Sequence, residues 1–223
     1  MLPLSFLVWK TMRKFTTIIL FLLVFAGGIS VGNAQTAEVR LLRNVQNNST
    51  PFLRNSSVFL SNTTYAVVIG TPVILGTVSL FTKNDDMLKA SIYMGATLVV
   101  NTVLVSALKY SINRQRPYEK YPELIFNHHI ESSPSFPSGH TSYSFALATS
   151  LTLQYPKWYV IVPSYLWASS VAYSRMNLGV HYPTDILAGA VLGAGSAYLT
   201  HVLNNWFWEK QNNRKIFKSW EAF

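Results

Sequence analysis

Residues 90–117 read ASIYMGATLVVNTVLVSALKYSINRQRP. From Ala90 to Leu108 there is no charged side chain, and a run of about 20 apolar residues is the length that crosses a bilayer as a helix. Lys109, Arg116 and Pro117 follow directly. A membrane-length segment that ends in two cations and a proline places polar chemistry at the mouth of a helix bundle. The same pattern repeats on both sides. Residues 15–32 and 58–81 are apolar before it. After it come a stretch from His140 to Tyr155, then 158–173 and 185–207. The reading is all-α: a polytopic membrane bundle of six transmembrane helices.

Composition agrees. Of 223 residues, 49% are hydrophobic and only 12% charged, about half the charged share of an ordinary soluble domain. The net charge of +9 is not gathered into a basic stripe with interleaved aromatics, which argues against a nucleic-acid partner. There is no cysteine, which excludes disulfides, thiolate nucleophiles and zinc–thiolate sites.

With six spans, Lys10, Arg13, Lys14, Lys83, Lys89, Lys157, Lys210, Arg214, Lys215 and Lys218 share one side. Arg40, Arg43, Arg54, Lys109, Arg114, Arg116, Lys120 and Arg175 share the other. Once the cations with a chemical reason to be there are set aside, the positive-inside rule puts both termini in the cytoplasm and the polar clusters outside. Residues 1–34 also fit a secretory signal peptide, with a basic start and a small-residue end at Gly32-Asn33-Ala34; cleavage would leave five spans in the same orientation. The expected organisation is a helix or signal peptide over 1–34, an exposed polar loop over 35–56, a membrane domain over 57–208 and a basic cytoplasmic tail over 209–223.

Three polar clusters carry the chemistry. In the first, Lys109 and Arg116 are seven residues apart, two helical turns, and so fall on one face if the helix continues, with Pro117 breaking it. Arginine offers a planar fork to phosphate oxygens, and lysine a compact charge. The plainer reading is two cations flanking a membrane span. The second is Pro137-Ser138-Gly139-His140, a turn entering a helix whose first amides form an anion site. Gly139 permits close approach, Ser138 offers a hydroxyl, and His140 stands where a general acid would. An ordinary helix cap reads equally well. The third is Ser174-Arg175 with His181 and Asp185. Four residues apart, a carboxylate can fix the tautomer of an imidazole and leave its other nitrogen as nucleophile. Because Pro183 suits a first helical turn, the helix is expected to start there, with Asp185 serving both as a cap and as the partner of His181. His128, His129 and Glu131 lie in the long loop between the first two clusters; they read as entrance residues or simply as solvated loop.

In order and spacing the three clusters resemble the signature of the type 2 phosphatidic acid phosphatase (PAP2) superfamily, in particular its small membrane-bound lipid phosphatases. The resemblance covers residues 109–185 and implies a PAP2/haloperoxidase-like helical core. It further implies His181 as nucleophile and Asp185 as its partner. His140 would be the acid that then activates water, and Lys109, Arg116, Ser138, Gly139 and Arg175 would hold the phosphate. No metal, other cofactor or obligate protein partner is implied. The partners are the bilayer and a lipid phosphate, with the active site on the periplasmic face of a bacterial inner membrane. Lipid A phosphate and undecaprenyl pyrophosphate are the favoured substrates. Phosphatidylglycerol phosphate, phosphatidic acid, or phosphotransfer to an alcohol or sugar are the alternatives.

Overall fold

The computed structural model describes residues 31–127 and 130–220, with side chains from Thr36 to Phe207. The first expected span, 15–32, the His128-His129 pair and residues 221–223 fall wholly or almost wholly outside them. The chain divides into two compact units, Met1–Glu38 and Val39–Phe223. Only the helical residues 31–38 of the first are described, and the bundle and its polar clusters belong to the second.

Every described element is a helix: α1 Val31–Asn47, α2 Pro51–Thr82, α3 Asp85–Ile112, the single turn α4 Pro117–Lys120, α5 Gly139–Gln154, α6 Trp158–Asn177 and α7 Pro183–Trp220. Local signals set their ends. Thr50 caps α2, its hydroxyl accepting from Leu53 N–H at 3.3 Å, with Pro51 in the first turn. Lys83 closes α2 in the left-handed region (φ 53°), and Asn84 then caps α3 through Met87 N–H at 3.0 Å. These caps satisfy helix-end groups that the helix itself cannot.

Two expectations need correction here. Residues 35–56 are not a loop. They supply most of α1 and the start of α2. The Asn-rich composition hid a helical spacing: Val39, Leu42 and Gln46 are buried, while Arg40, Leu41 and Arg43 are exposed, the pattern of an amphipathic helix. Val39 and Leu42 pack with Ile125 and Tyr182. Residues 209–220, expected as a tail, continue α7.

In the bundle α5 is central. It packs most extensively on α7 and α6, and also on α3 and α2. Around it α2 meets α3, α3 meets α7, α7 meets α6, and α6 meets α2. The α5–α7 seam is a backbone-to-backbone contact. A Cβ at Gly189 would lie 2.6 Å from the carbonyl oxygen of Ser138, and one at Gly193 would overlap the carbonyl of Ser142. Small residues at this spacing allow close helix approach where no hydrophobic force drives association. Polar side chains add to the seam: buried Asn101 of α3 accepts from Ser142 of α5 at 2.7 Å and from Ser196 of α7 at 3.1 Å.

Much of the bundle's surface is apolar. Ile69, Val73, Ile74, Leu80 and Phe81 of α2, Ile92, Val99 and Val103 of α3, and Leu187 and Val191 of α7 are exposed. An apolar exterior over a polar interior is the arrangement of a protein solvated by lipid. Pro51–Thr82, Asp85–Lys120 and Pro183–Phe207 are each long and apolar enough to cross a membrane. The turns joining α2 to α3 and α5 to α6 lie at one end of the bundle. The C-termini of α3 and α6 and the N-termini of α5 and α7 lie at the other, and all three polar clusters are there.

Candidate active site

The first cluster is built differently from expectation. α3 stops at Ile112 because Asn113 turns left-handed (φ 48°), its N–H bonded to the Lys109 carbonyl at 2.9 Å. Arg116 is therefore not on the face of α3 that carries Lys109. It is extended (φ −74°, ψ 155°) and caps α4, with Pro117 in that helix's first turn. A residue before proline is biased against the helical region, so Pro117 starts a turn here where it was expected to end a helix.

Arg116 is 1% exposed. Its Nε donates to the Ser133 carbonyl at 2.8 Å, and NH1 donates to the Val180 carbonyl at 2.9 Å and lies 3.4 Å from His181 Nε2. Arg175, in the last turn of α6, is fully buried. It donates to Ser61 Oγ and to a Glu131 carboxylate oxygen, and its Nε has no partner among the described residues. Lys109 reaches across to the Pro134 carbonyl.

His181 lies between α6 and α7, in a turn that needs glycine. Gly179 has φ +76°, and a Cβ there would overlap the Phe126 carbonyl. Burial, and then Arg116, Arg175 and Lys109, hold the His181 pKa well below the ordinary imidazole value of 6.5. The ring is thus neutral with a lone pair available. Its Nδ1 is 3.5 Å from Asp185 Oδ2 and 3.5 Å from Ser135 Oγ, both longer than a closed hydrogen bond.

Asp185 is fully buried in the first turn of α7 and heavily engaged. One oxygen accepts from Arg114 at 2.5 Å. The other accepts from Ser135 Oγ at 2.5 Å and from Tyr182 N–H at 2.9 Å. The Tyr182 bond satisfies an amide at the start of α7, so the carboxylate does cap the helix while facing His181.

The second cluster meets the third through the main chain: Ser138 N–H donates to the Asp185 carbonyl at 3.0 Å. Ser138 precedes α5 without capping it through its side chain, and its hydroxyl lies 3.0 Å from Thr141 Oγ1. Gly139 faces Lys109, since a Cβ there would be 3.9 Å from Lys109 Cε. His140 is buried, its ring 4.6 Å from that of Tyr65.

All eight expected site residues are thus gathered at one end of the bundle. Others join them. Ser135, Ser133, Ser61 and Gly179 carry no sequence signal, since serines and a glycine near helix ends are ordinary. Arg114 was visible as a cation beside the first cluster and Glu131 as an entrance or loop residue, but their targets were not.

The similarities to known proteins follow the same residues. The PAP2 superfamily pattern matches residues 90–209. An undecaprenyl-diphosphatase of Sulfolobus acidocaldarius is 27% identical over 86% of this chain and 88% of its own. A lipid A 1-phosphatase of Rhizobium johnstonii is 31% identical over 50% of this chain and 46% of its own. Among solved structures, the transmembrane PAP2-type phosphatidylglycerolphosphate phosphatase from Bacillus subtilis superposes with a TM-score of 0.70 at 25% identity, covering 85% of this chain and 95% of that one. The matched stretch takes in all three polar clusters and most of the helices from α3 to α7, and on that ground the chain belongs to the PAP2 superfamily.

Proposed function

We propose that this protein is a membrane lipid phosphatase that works through a phosphohistidine. The observation that carries the reading is the enclosure of a neutral, fully buried His181 by Lys109, Arg116 and Arg175. A phosphoryl group in displacement needs fixed positive charge around its equatorial oxygens and a nucleophile in line. Among the described residues the buried Nε–H of Arg175 has no acceptor, which leaves it a donor for a phosphoryl oxygen.

In the proposed reaction His181 Nε2 attacks phosphorus. The bond from phosphorus to the lipid oxygen breaks, and His140 gives that oxygen its proton. His140 then takes a proton from water, whose oxygen attacks phosphorus; the P–N bond breaks and phosphate leaves. Asp185 closes from 3.5 Å onto the Nδ1–H of His181 as the reaction proceeds and supports the positive charge that develops on the ring. Ser138, Gly139 and the first amides of α5 supply further donors to the phosphoryl oxygens. The three side-chain cations provide the charge stabilisation that other phosphatases take from metal ions, so the reaction is metal-independent.

The apolar helix exteriors favour a substrate that arrives laterally from the bilayer. We further propose six spans, with α5 and α6 crossing alongside the three longer helices and a first span in residues 15–32. The site then faces the periplasm of a bacterial inner membrane. The relatives favour an undecaprenyl pyrophosphate or a lipid A phosphate as substrate, with phosphatidylglycerol phosphate and phosphatidic acid as alternatives. Transfer of the phosphoryl group to an alcohol or sugar would use the same residues.

The test is phosphate release by purified protein from these four lipids in mixed micelles, with His181→Ala as control and products identified by mass spectrometry. Release from one lipid, abolished by the substitution, supports the reading. Release that survives His181→Ala overturns the nucleophile. An acceptor-dependent phosphorylated product in place of free phosphate would establish transfer.

A further inference from the structure

The seat for the phosphoryl group contains an anion already. Glu131 comes from the loop between α4 and α5, and its carboxylate reaches both arginines: one oxygen pairs with Arg175 NH2, and the other lies 3.8 Å from Arg116 NH2. The side chains of Arg116 and Arg175 are 1% and 0% exposed, whereas that of Glu131 is 20% exposed. The carboxylate is thus the outer member of the group, between the buried cations and the mouth of the site. Its backbone is held separately: the Tyr118 hydroxyl accepts from Glu131 N–H at 3.3 Å and donates to its carbonyl at 3.2 Å. Ile130, next in the chain, is 84% exposed. The side chain can leave the arginines by rotation while Tyr118 keeps the main chain in place.

We propose that Glu131 determines specificity as an internal counter-anion, which a doubly charged phosphoryl group displaces and a singly charged one does not. The inference rests on the phosphatase reading of the same site. Two buried guanidiniums without a partner would be costly, so the carboxylate stabilises the unliganded site. An incoming anion must then exceed it. Exchanging one single negative charge for another gains nothing in Coulomb energy. A phosphate dianion, and still more the transition state, gains a second charge in a setting of low dielectric. The distinction matters in a bilayer, where phosphodiester headgroups, each with one negative charge on phosphorus, surround the site at high concentration. Without Glu131, the two buried arginines and half-buried Lys109 would accept any of them.

The experiment uses the full chain in detergent and measures binding of inorganic phosphate and of dimethyl phosphate, a monoanionic diester, by calorimetry at pH 8. The wild type should bind phosphate and discriminate strongly against dimethyl phosphate. Glu131→Gln should bind dimethyl phosphate at least about tenfold more tightly than the wild type, and Glu131→Asp should keep the discrimination. Unchanged or weaker diester binding by folded Glu131→Gln overturns the proposal. Should that variant not fold, the wild type itself decides: dimethyl phosphate binding within a few-fold of phosphate binding overturns the proposal equally. A wild type that binds neither phosphate nor vanadate would sink the phosphatase reading itself.

Discussion

Asp185 is closer to Arg114 than to His181: its carboxylate lies 2.5 Å from Arg114 NH1 but 3.5 Å from His181 Nδ1. Arg114 also donates to Thr184 at 2.8 Å and stacks over the Tyr182 ring at 3.9 Å. It thus grips the start of α7 at Tyr182, Thr184 and Asp185 together. Arg114→Gln should lower kcat about tenfold with KM little changed, because the substitution frees Asp185 to rotate without touching the phosphoryl seat. Arg114→Lys should recover only part of the loss, lacking the planar fork. An effect confined to KM would show that Arg114 binds substrate directly.

Burial and the three neighbouring cations keep the folded-state pKa of His181 below 6.5. The ring should therefore stay neutral as pH falls through 6.5, where the unfolded chain takes up its proton. More protons bound in the unfolded state means stability rising with pH. His181 should accordingly cost stability as pH drops through about 6.5 and down to its folded pKa, and contribute nothing above. Nitrogen-15 ring resonances, assigned by comparison with His181→Gln, give the midpoint directly. A titration at or above 6.5 would refute the assignment of a neutral, desolvated ring.

The α5–α7 seam predicts unequal responses from glycines six residues apart. Gly189→Ala forces a methyl against the Ser138 carbonyl at 2.6 Å and should destabilise the protein by about 1–3 kcal/mol, the usual cost of overpacking. Activity should fall with it, since Ser138 and Asp185 share a main-chain bond. At Gly195 nothing lies within 4 Å, and alanine there should be neutral or slightly stabilising through helix propensity. Thermal unfolding in detergent, run beside the phosphatase assay, checks both. Equal tolerance at the two positions would mean the seam is looser than described.

If protein side chains supply all the charge stabilisation, EDTA should leave turnover unchanged, and orthovanadate, which adopts the trigonal-bipyramidal shape of the displacement, should inhibit. His140→Ala should retain vanadate binding while losing about a hundred- to ten-thousand-fold in rate, the range for a general acid. Inhibition by chelator that is reversed by added divalent metal would exclude the metal-independent mechanism.

Most of the bundle was legible because lipid imposes a simple rule on sequence: long uncharged runs become helices. The site clusters were legible because charged and imidazole side chains are conspicuous among apolar neighbours. What escaped depended on backbone direction. The left-handed turn at Asn113 is chemically ordinary in sequence, yet it removes Arg116 from the face of α3. Helix α1 escaped because polar composition was read before spacing, although Val39, Leu42 and Gln46 mark its inner face. Ser135 escaped because its role depends on a carboxylate 50 residues later, and no local pattern reports that.

Gln46 joins α1 to the long loop in a way that mimics a strand pair: its amide donates to the Phe126 carbonyl at 2.7 Å and accepts from the Phe126 N–H at 3.1 Å. One side chain thereby supplies both bonds that a neighbouring peptide unit would give. Phe126 is therefore held as an edge strand would hold it, although no strand is present among the described residues, and the loop that follows α4 is fastened to α1 by hydrogen bonds from a single side chain.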